Sequence, residues 1–241
     1  MAEMSATPLT TALFVVLVGV MFVAVILALR DASPGRGRTA LAVAGPILLV
    51  VHLAVPAVLA RAGQLDRYAP MPAPPLLLML AVTATTVLLA MSPLGLRLAM
   101  ALPLSTLVGF QSFRIGVEWL LHRLWLEGVI PAAMTWSGRN LDVVAGVTAL
   151  GLGWWLRTGR GSNRALILGW NVLGLLLLLN IVTIAILATP TSFQRFTAGP
   201  DNLLPSTWPF VWLPSFLVQL ALAGHLLVFR RLAAERGQGR G

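Results

Sequence analysis

Seven long apolar stretches divide this sequence, and their length is the feature that most limits its fold. They run approximately over residues 10–29, 40–60, 74–94, 98–121, 141–156, 166–188 and 210–229. About 20 apolar residues in a helix cross the hydrocarbon core of a bilayer, where backbone polar groups must be paired within the segment. The sequence therefore predicts an all-α fold, a polytopic membrane helix bundle with about seven transmembrane helices. The whole chain, residues 1–241, forms one domain in this prediction.

The composition agrees with a membrane bundle and removes several classes of chemistry. Hydrophobic residues make up 58% of the chain and charged residues 10%, whereas a soluble domain carries about 25% charged residues. All 17 basic residues are arginine, so a lysine Schiff base, retinal attachment and a P-loop lysine are excluded. The chain has no cysteine, which excludes disulfides, thiolate metal ligands and thiol nucleophiles.

The arginines are distributed unequally between the two ends of the predicted bundle. Eleven lie at the end that follows the first, third, fifth and seventh stretches: Arg30, Arg36, Arg38, Arg97, Arg157, Arg160, Arg164, Arg230, Arg231, Arg236 and Arg240. Five lie at the opposite end: Arg61, Arg67, Arg123, Arg139 and Arg195. Because arginine-rich loops stay in the cytoplasm, we expect an external N-terminus and an internal C-terminus, with the first stretch retained as a span. The net charge of +9 is then a topology signal, and no nucleic-acid partner is expected.

The fourth stretch carries a polar stripe. Its four polar side chains follow one another at intervals of three or four residues, which places them on one helical face. They are Gln111, Arg114, Glu118 and His122. Arg114 and Glu118 have the spacing of an ion pair within a helix. Counting about 1.5 Å per residue from Arg97 puts Arg114 roughly 25 Å from the cytoplasmic end, in the outer part of the membrane. The stripe is either a functional site facing a cavity or packing between helices.

Polar residues elsewhere are placed to join this stripe. Arg139, Asn140 and Asp142 precede the fifth helix and form a lid over the stripe in one interpretation. In the other interpretation, Asn140 caps the fifth helix and Asp142 interacts with the dipole of that helix. Asn180 in the sixth helix either faces the same cavity or donates a hydrogen bond between helices. The candidate ligand-binding residues are Gln111, Arg114, Glu118, His122, Arg139, Asn140, Asp142 and Asn180.

The fifth helix also has a face of small residues, which allows a neighbouring helix to approach closely. Besides Asp142, the residues on this face are Gly146, Ala149 and Gly153.

Three histidines raise the question of a metal or haem, and their depths argue against one. At about 1.5 Å per residue, His52 lies roughly 21 Å, His122 roughly 37 Å and His225 roughly 8 Å from the cytoplasmic end. Two axial ligands of one iron need similar depths. Glu118 and His122 are spaced to bind a metal together, but a third ligand has to come from Asp142 or the loops. We therefore predict no metal and no cofactor.

The second half of the chain resembles a group of uncharacterised bacterial multipass membrane proteins. The resemblance covers roughly residue 113 onward and rests on Phe113-Arg114, Glu118, His122, Ile130-Pro131, Met134-Thr135, Gly138-Arg139-Asn140, Asp142, Trp208-Pro-Phe-Val-Trp-Leu-Pro214 and His225. It implies a multipass protein of the bacterial inner membrane, and it implies no activity.

The leading hypothesis from the sequence is an external polar pocket that binds or transports a small anionic or lipid-headgroup ligand, with Arg114 as the anion anchor. A second hypothesis is an intramembrane enzyme acting on a lipid or isoprenoid substrate, with Glu118 and His122 as catalytic acid and base. A third is a non-catalytic subunit of a membrane complex. The lipid bilayer is the expected partner, and the choice between a homo-oligomer and a larger complex is open.

Overall fold

The computed structural model describes residues 5–32, 38–159 and 163–238, and its regular elements there are helices. Their bounds are α1 (Pro8–Asp31), α2 (Arg38–Arg61), α3 (Pro74–Met91), α4 (Pro93–Ala101), α5 (Leu104–Gly109), α6 (Phe113–Leu126), α7 (Asp142–Arg157), α8 (Arg164–Ala188) and α9 (Val218–Gln238). Two 3₁₀ turns, Phe110–Ser112 and Ala132–Met134, and one π-helical turn, Leu213–Leu217, complete the set.

Within the described ranges, five helical segments are long and apolar enough to cross a membrane. They are Pro8–Asp31, Ala44–Arg61, Pro74–Met91, Arg164–Ala188 and Leu213–Arg236. A sixth crossing is counted if α4 is joined to the segment Leu104–Leu126, although the two are bent by 103°. The structure therefore supports an all-α bundle with five or six candidate spans. The predicted fifth stretch is the helix α7, which has only 16 residues.

The largest difference from the sequence prediction is a break in the fourth stretch, which was expected to be one helix over residues 98–121. Leu102 leaves the helical conformation, with φ −86° and ψ 137°. Pro103 is the reason, because proline disfavours helical geometry in the preceding residue. Ser92 before Pro93 is likewise extended, so α3 ends at Met91, and α4 is a short helix bent by 103° from the segment Leu104–Leu126.

Helix α9 packs against α3, α4, α5 and α8, and its arginines bind the ends of two neighbours. Arg230 Nη1 donates to the carbonyls of Ala90 (2.6 Å) and Ser92 (2.5 Å). Arg231 Nη1 donates to the carbonyl of Met100 at 2.7 Å. The last carbonyls of a helix have no partner inside it, so these arginines stabilise the C-terminal ends of α3 and α4.

At the opposite end of the bundle, a hydrogen-bond cluster joins α1 to α6. The carboxylate of Glu127 accepts bonds from Thr10 Oγ1 (2.6 Å), Thr7 N (2.9 Å) and Arg123 Nη2 (3.1 Å). Burial alone would raise the pKa of Glu127, but the bonds from Thr10 and Thr7 outweigh it and hold that pKa below its usual value. The cluster therefore fixes the start of α1 beside the end of α6.

The outside of the bundle is apolar. Large aliphatic and aromatic side chains point outward along the long helices, with Leu88 72% and Trp154 71% exposed. A soluble monomer rarely exposes so continuous an apolar surface, whereas lipid tails contact such a surface favourably. The surface agrees with a bundle that lies in a membrane.

The small-residue face of α7 packs against the α5–α6 segment. A Cβ on Gly153 would lie 2.7 Å from the Cα of Gly109, and a Cβ on Gly146 would lie 2.9 Å from the backbone nitrogen of Ile115. The close approach that these glycines predict is thus present. It places the start of α7 directly beside the polar stripe of α6.

Candidate functional site

A cavity lies between α3, α6, α8 and the start of α9. Its empty volume is about 780 Å³ when the space open to solvent at its mouth is counted. The lining comes from the first two turns of α3, the C-terminal part of α8, the loop that follows α8, the π-helical turn and the first turn of α9: Pro75, Leu76, Met79, Leu178, Ile181, Val182, Ala185, Ile186, Thr189, Asn202, Leu204, Pro205, Leu213, Pro214, Leu217, Val218 and Ala221. Helix α6 and its neighbours add Phe113, Arg114, Val117, Glu118, Leu121, Met134 and Asp142. The cavity therefore occupies the half of the bundle away from the arginine-rich end.

The walls of the cavity are almost wholly apolar, and two of the polar residues in its lining are already paired. Thr189 Oγ1 donates to the carbonyl of Ala185 at 2.8 Å. Asn202 Nδ2 donates to the same carbonyl at 3.0 Å, and Asn202 Oδ1 accepts from Leu204 N at 3.3 Å. These side chains bind the loop to the end of α8. Thr189 and Asn202 therefore offer a ligand little free hydrogen-bonding capacity.

The π-helical turn places α9 against this cavity. It adds a residue to a helical turn next to Pro214, and the freed carbonyls find side-chain donors. Gln219 Nε2 donates to the carbonyl of Pro214 at 2.9 Å, and His52 Nε2 bonds the carbonyl of Ser215 at 2.8 Å. The side chains of Gln219 and His52 thus stabilise the π-helical turn, and Leu213, Pro214 and Leu217 of this turn line the cavity.

Arg114 lies at one wall of the cavity and is 2% exposed. Its Nε donates to Asp142 Oδ2 at 2.6 Å, and its Nη2 donates to Asp142 Oδ1. Nη1 and Nη2 both donate to the carbonyl of Gly174, at 3.3 and 3.2 Å. Nη1 also donates to His225 Nε2 at 3.0 Å. All five N–H groups of the guanidinium are therefore engaged by the protein itself.

The contact with Arg114 fixes the tautomer of His225. Arginine only donates, so Nε2 of His225 must accept, and the ring proton is on Nδ1. Nδ1 then donates to Asn171 Oδ1 at 2.8 Å, and Asn171 Nδ2 donates to the carbonyl of His225 at 3.0 Å. The ring fits only because residue 174 is glycine, since a Cβ there would lie 2.5 Å from His225 Cε1. His225 is thus neutral and rigidly held.

Glu118 has a different environment, although it is only 1% exposed. Asn140 Nδ2 donates to both carboxylate oxygens, at 2.7 and 2.6 Å, and to the carbonyl of Met134 at 3.0 Å. Asn140 Oδ1 accepts from Asp142 N at 2.9 Å. Among the described residues no basic group lies within 4.0 Å of the Glu118 carboxylate. We call Arg114, Glu118, Asn140, Asp142, Asn171 and His225 the buried polar cluster.

The ion pair that the sequence predicts between Arg114 and Glu118 is not formed. Asp142 takes the guanidinium instead, because the close packing of α7 on α6 brings its carboxylate into bidentate geometry. The planar guanidinium group forms two parallel hydrogen bonds more readily with a carboxylate that faces it from another helix than with one four residues away on its own helix.

The structure brings together half of the predicted site residues and separates the others. Arg114, Glu118, Asn140 and Asp142 belong to the buried polar cluster. Gln111 lies one turn further along, where Nε2 donates to the carbonyl of Ala221 at 3.0 Å and Oε1 has no partner.

His122, Arg139 and Asn180 lie outside the cavity lining. The ring of His122 stacks on Trp136 at 4.3 Å. The guanidinium of Arg139 lies over the ring of Phe196 at 5.3 Å, and its carbonyl accepts from Asn180 Nδ2 at 3.0 Å. Asn180 thus makes a hydrogen bond to the loop before α7, and Arg139 does not cover the polar stripe.

The sequence reasoning missed His225, Asn171 and Gly174 as neighbours of Arg114. A depth that is counted from Arg97 runs through the break at Leu102, and it therefore places Arg114 too far from the arginine-rich end. Counted from the start of α5, at about 1.5 Å per residue, Arg114 lies at roughly 15 Å. That depth is within reach of His225, and the Leu102-Pro103 pair was the signal that a helix break should be counted.

Within the described ranges no group of three or more histidine, aspartate and glutamate side chains is arranged to hold a metal ion. The carboxylates of Asp142 and Glu118 are bound by Arg114 and Asn140 respectively. The three histidines have different neighbours. His52 bonds the carbonyl of Ser215 in the π-helical turn, His122 stacks on Trp136, and His225 bonds Arg114 and Asn171.

A helical bundle with five or six candidate membrane spans, and with a buried arginine–carboxylate pair beside an apolar cavity, is the class that the structure defines. The chain belongs to the family described as domain of unknown function DUF8737, whose model matches residues 71–233. The match includes every residue that lines the cavity and leaves out α1 and α2. No curated protein and no solved structure matches the chain.

Proposed function

We propose that this chain is a membrane-embedded binding protein whose cavity holds an amphipathic, lipid-like molecule. The observation that carries the proposal is the combination of an apolar cavity with buried charged groups at one wall. Apolar walls suit a hydrocarbon chain, and a few polar groups at one place orient a ligand. A small anion is a poorer fit than the sequence hypothesis expected, because Arg114 has no free donor to offer it.

The arrangement of helices supports access from the lipid. Helices α3 and α8 both line the cavity and both pack on α9, but they make little contact with each other. We infer that a chain enters between them. The walls there are aliphatic on both sides, with Met79 on α3 and Val182 and Ile186 on α8. A hydrocarbon chain passing this gap meets no polar side chain.

We further propose that the cavity faces the outer half of a bacterial inner membrane, with the N-terminus outside and the C-terminus inside. The excess of arginine at the end opposite the cavity supports this orientation. The resemblance to bacterial multipass proteins supports the location. The enzyme hypothesis has weaker support, because His122, its expected base, stacks on Trp136 and does not line the cavity.

The proposal is tested by photolabelling of the protein in lipid nanodiscs with hexadecanol that carries a diazirine near the chain end. We expect label on peptides of α3, α8 and α9 that line the cavity. Val182→Trp puts an indole into the cavity and should reduce that label severalfold. Val172→Trp is the matched control, since Val172 lies on the same helix, is 43% exposed and does not line the cavity.

Equal labelling of cavity peptides in the two tryptophan variants would contradict the proposal. So would a label spread evenly over lipid-facing peptides of the parent protein, because that pattern is produced by contact with the bilayer alone.

A further inference from the structure

We infer that the ligand carries a positively charged ammonium head, and that the Glu118 carboxylate binds it inside the cavity. The inference rests on the proposed function and names the chemical class of its ligand: an ammonium group at the end of an apolar chain. It follows from the charges and hydrogen bonds of the groups that line the cavity.

The first step is the charge of the buried polar cluster. Arg114 and Asp142 neutralise each other through two hydrogen bonds. His225 accepts a bond from Arg114 and is therefore neutral. Glu118 also lines the cavity, but its carboxylate has no such partner. Among the described residues, no basic group lies within 4.0 Å of it. An uncompensated carboxylate is costly to bury, and a cation beside it removes that cost.

The second step is hydrogen-bonding capacity. A carboxylate accepts about four hydrogen bonds. Glu118 receives only those from the Nδ2 group of Asn140. Glu118 is one of the residues that line the cavity, so its remaining lone pairs are the ones that a ligand there would reach. An ammonium group supplies three donors and one positive charge, which are what this carboxylate lacks.

The third step argues against a ligand with a negatively charged head. The five N–H groups of Arg114 are all engaged, by Asp142, Gly174 and His225. A carboxylate or phosphate head would therefore find no free cationic donor in the lining and would lie beside the uncompensated carboxylate of Glu118. The same wall that attracts an ammonium head thus repels an anionic one.

The test compares three photoreactive hexadecyl probes that differ only in the head: ammonium, hydroxyl or carboxylate. In nanodiscs of neutral lipid, the ammonium probe should half-saturate labelling of the cavity at a concentration lower by about tenfold or more than the hydroxyl probe. The carboxylate probe should bind most weakly. Glu118→Gln keeps the shape and removes the charge, so the ammonium preference should disappear while the hydroxyl probe still labels the cavity.

Asp201→Asn is the control variant. Asp201 is an exposed acidic residue in the loop after α8, next in the chain to the lining residue Asn202 but outside the lining, so its loss should leave the ammonium preference intact. Glu118→Asp, which retains the charge, should keep part of the preference. The hydroxyl probe reports in each variant whether the cavity is still folded, and if Glu118→Gln fails to fold, the three probes on the parent protein and on Glu118→Asp decide.

Two results overturn the inference. One is equal binding of the ammonium and hydroxyl probes to the parent, which leaves the proposed function intact. The other is an ammonium preference that survives in Glu118→Gln. If none of the three probes labels the cavity, the proposed function itself fails. Competition by unlabelled hexadecylamine, without competition by hexadecanoic acid at the same concentration, identifies a lipophilic amine as the ligand class.

Discussion

Arg114 connects four helices through one guanidinium group. It belongs to α6 and binds Asp142 of α7, the carbonyl of Gly174 in α8, and His225 of α9. A buried charge is tolerated only when a counter-charge and hydrogen bonds replace the water it has lost. The bundle meets that condition at Arg114 and meets it less completely at Glu118.

Removal of one member of the Arg114–Asp142 pair should be strongly destabilising. Arg114→Leu and Asp142→Leu should each lower the free energy of unfolding by about 3–5 kcal/mol, since each leaves an uncompensated buried charge. The double variant should recover a large part of the loss. The measurement is unfolding of the purified protein by sodium dodecyl sulfate in mixed micelles, followed through its eight tryptophans.

Arg114→Leu combined with Glu118→Leu is the control, because those two side chains form no ion pair. Their effects should be closer to additive than those of the Arg114–Asp142 pair, because no hydrogen bond joins Arg114 to Glu118. Recovery in this second double variant, with none in the first, would show that Glu118 and not Asp142 is the true partner of Arg114.

The sequence identified the members of this pair but not the pairing. Arg114 and Asp142 are 28 residues apart in the chain, and a nearer carboxylate on the same helix offered a simpler partner. Asn140 was recognised as a polar residue near the stripe, yet its bonds to Glu118 depend on how the loop after α6 folds back. Such contacts follow from tertiary packing and leave no periodic signal in the sequence.

At two prolines, Pro103 and Pro214, the helices of the structure do not follow the bounds of the apolar stretches in the sequence. Hydropathy continues without interruption across Leu102 and Pro103, so one span was predicted where the structure has α4, a bend of 103°, and α5. The seventh stretch was expected to be helical from residue 210, but the region around Pro214 forms a π-helical turn and α9 begins at Val218. Apolar length predicts that a segment is helical, whereas proline geometry determines where the helix bends.

The packing of α7 on the α5–α6 segment gives a prediction at two glycines of one helix. Gly153→Ala should lower the free energy of unfolding by about 1–3 kcal/mol, because the new methyl group meets the backbone of Gly109. Gly151→Ala should be neutral or stabilising by up to about 1 kcal/mol, since nothing lies within 4 Å of its Cβ position and alanine favours a helix. Thermal unfolding in detergent measures both. Equal effects at the two positions would contradict the close contact between α5 and α7.

The bundle as a whole is asymmetric along its axis. One end holds most of the arginines, and there Arg230 and Arg231 bind the carbonyls at the ends of α3 and α4. The other end holds the apolar cavity and the loop after α8. In the proposed orientation, the arginine-rich end faces the cytoplasm by the positive-inside rule and the cavity lies toward the outside.

The most direct test of this account is thiol labelling of two single-cysteine variants in intact bacterial cells, read on the protein purified after labelling, because the chain has no native cysteine to react. Thr158 and Thr197 are both exposed and are separated in the chain by α8. With a membrane-impermeant maleimide, Thr197→Cys should react in intact cells and Thr158→Cys only after permeabilisation. Reaction of both variants in intact cells would show that α8 does not cross the membrane, and the reversed pattern would place the cavity on the cytoplasmic side.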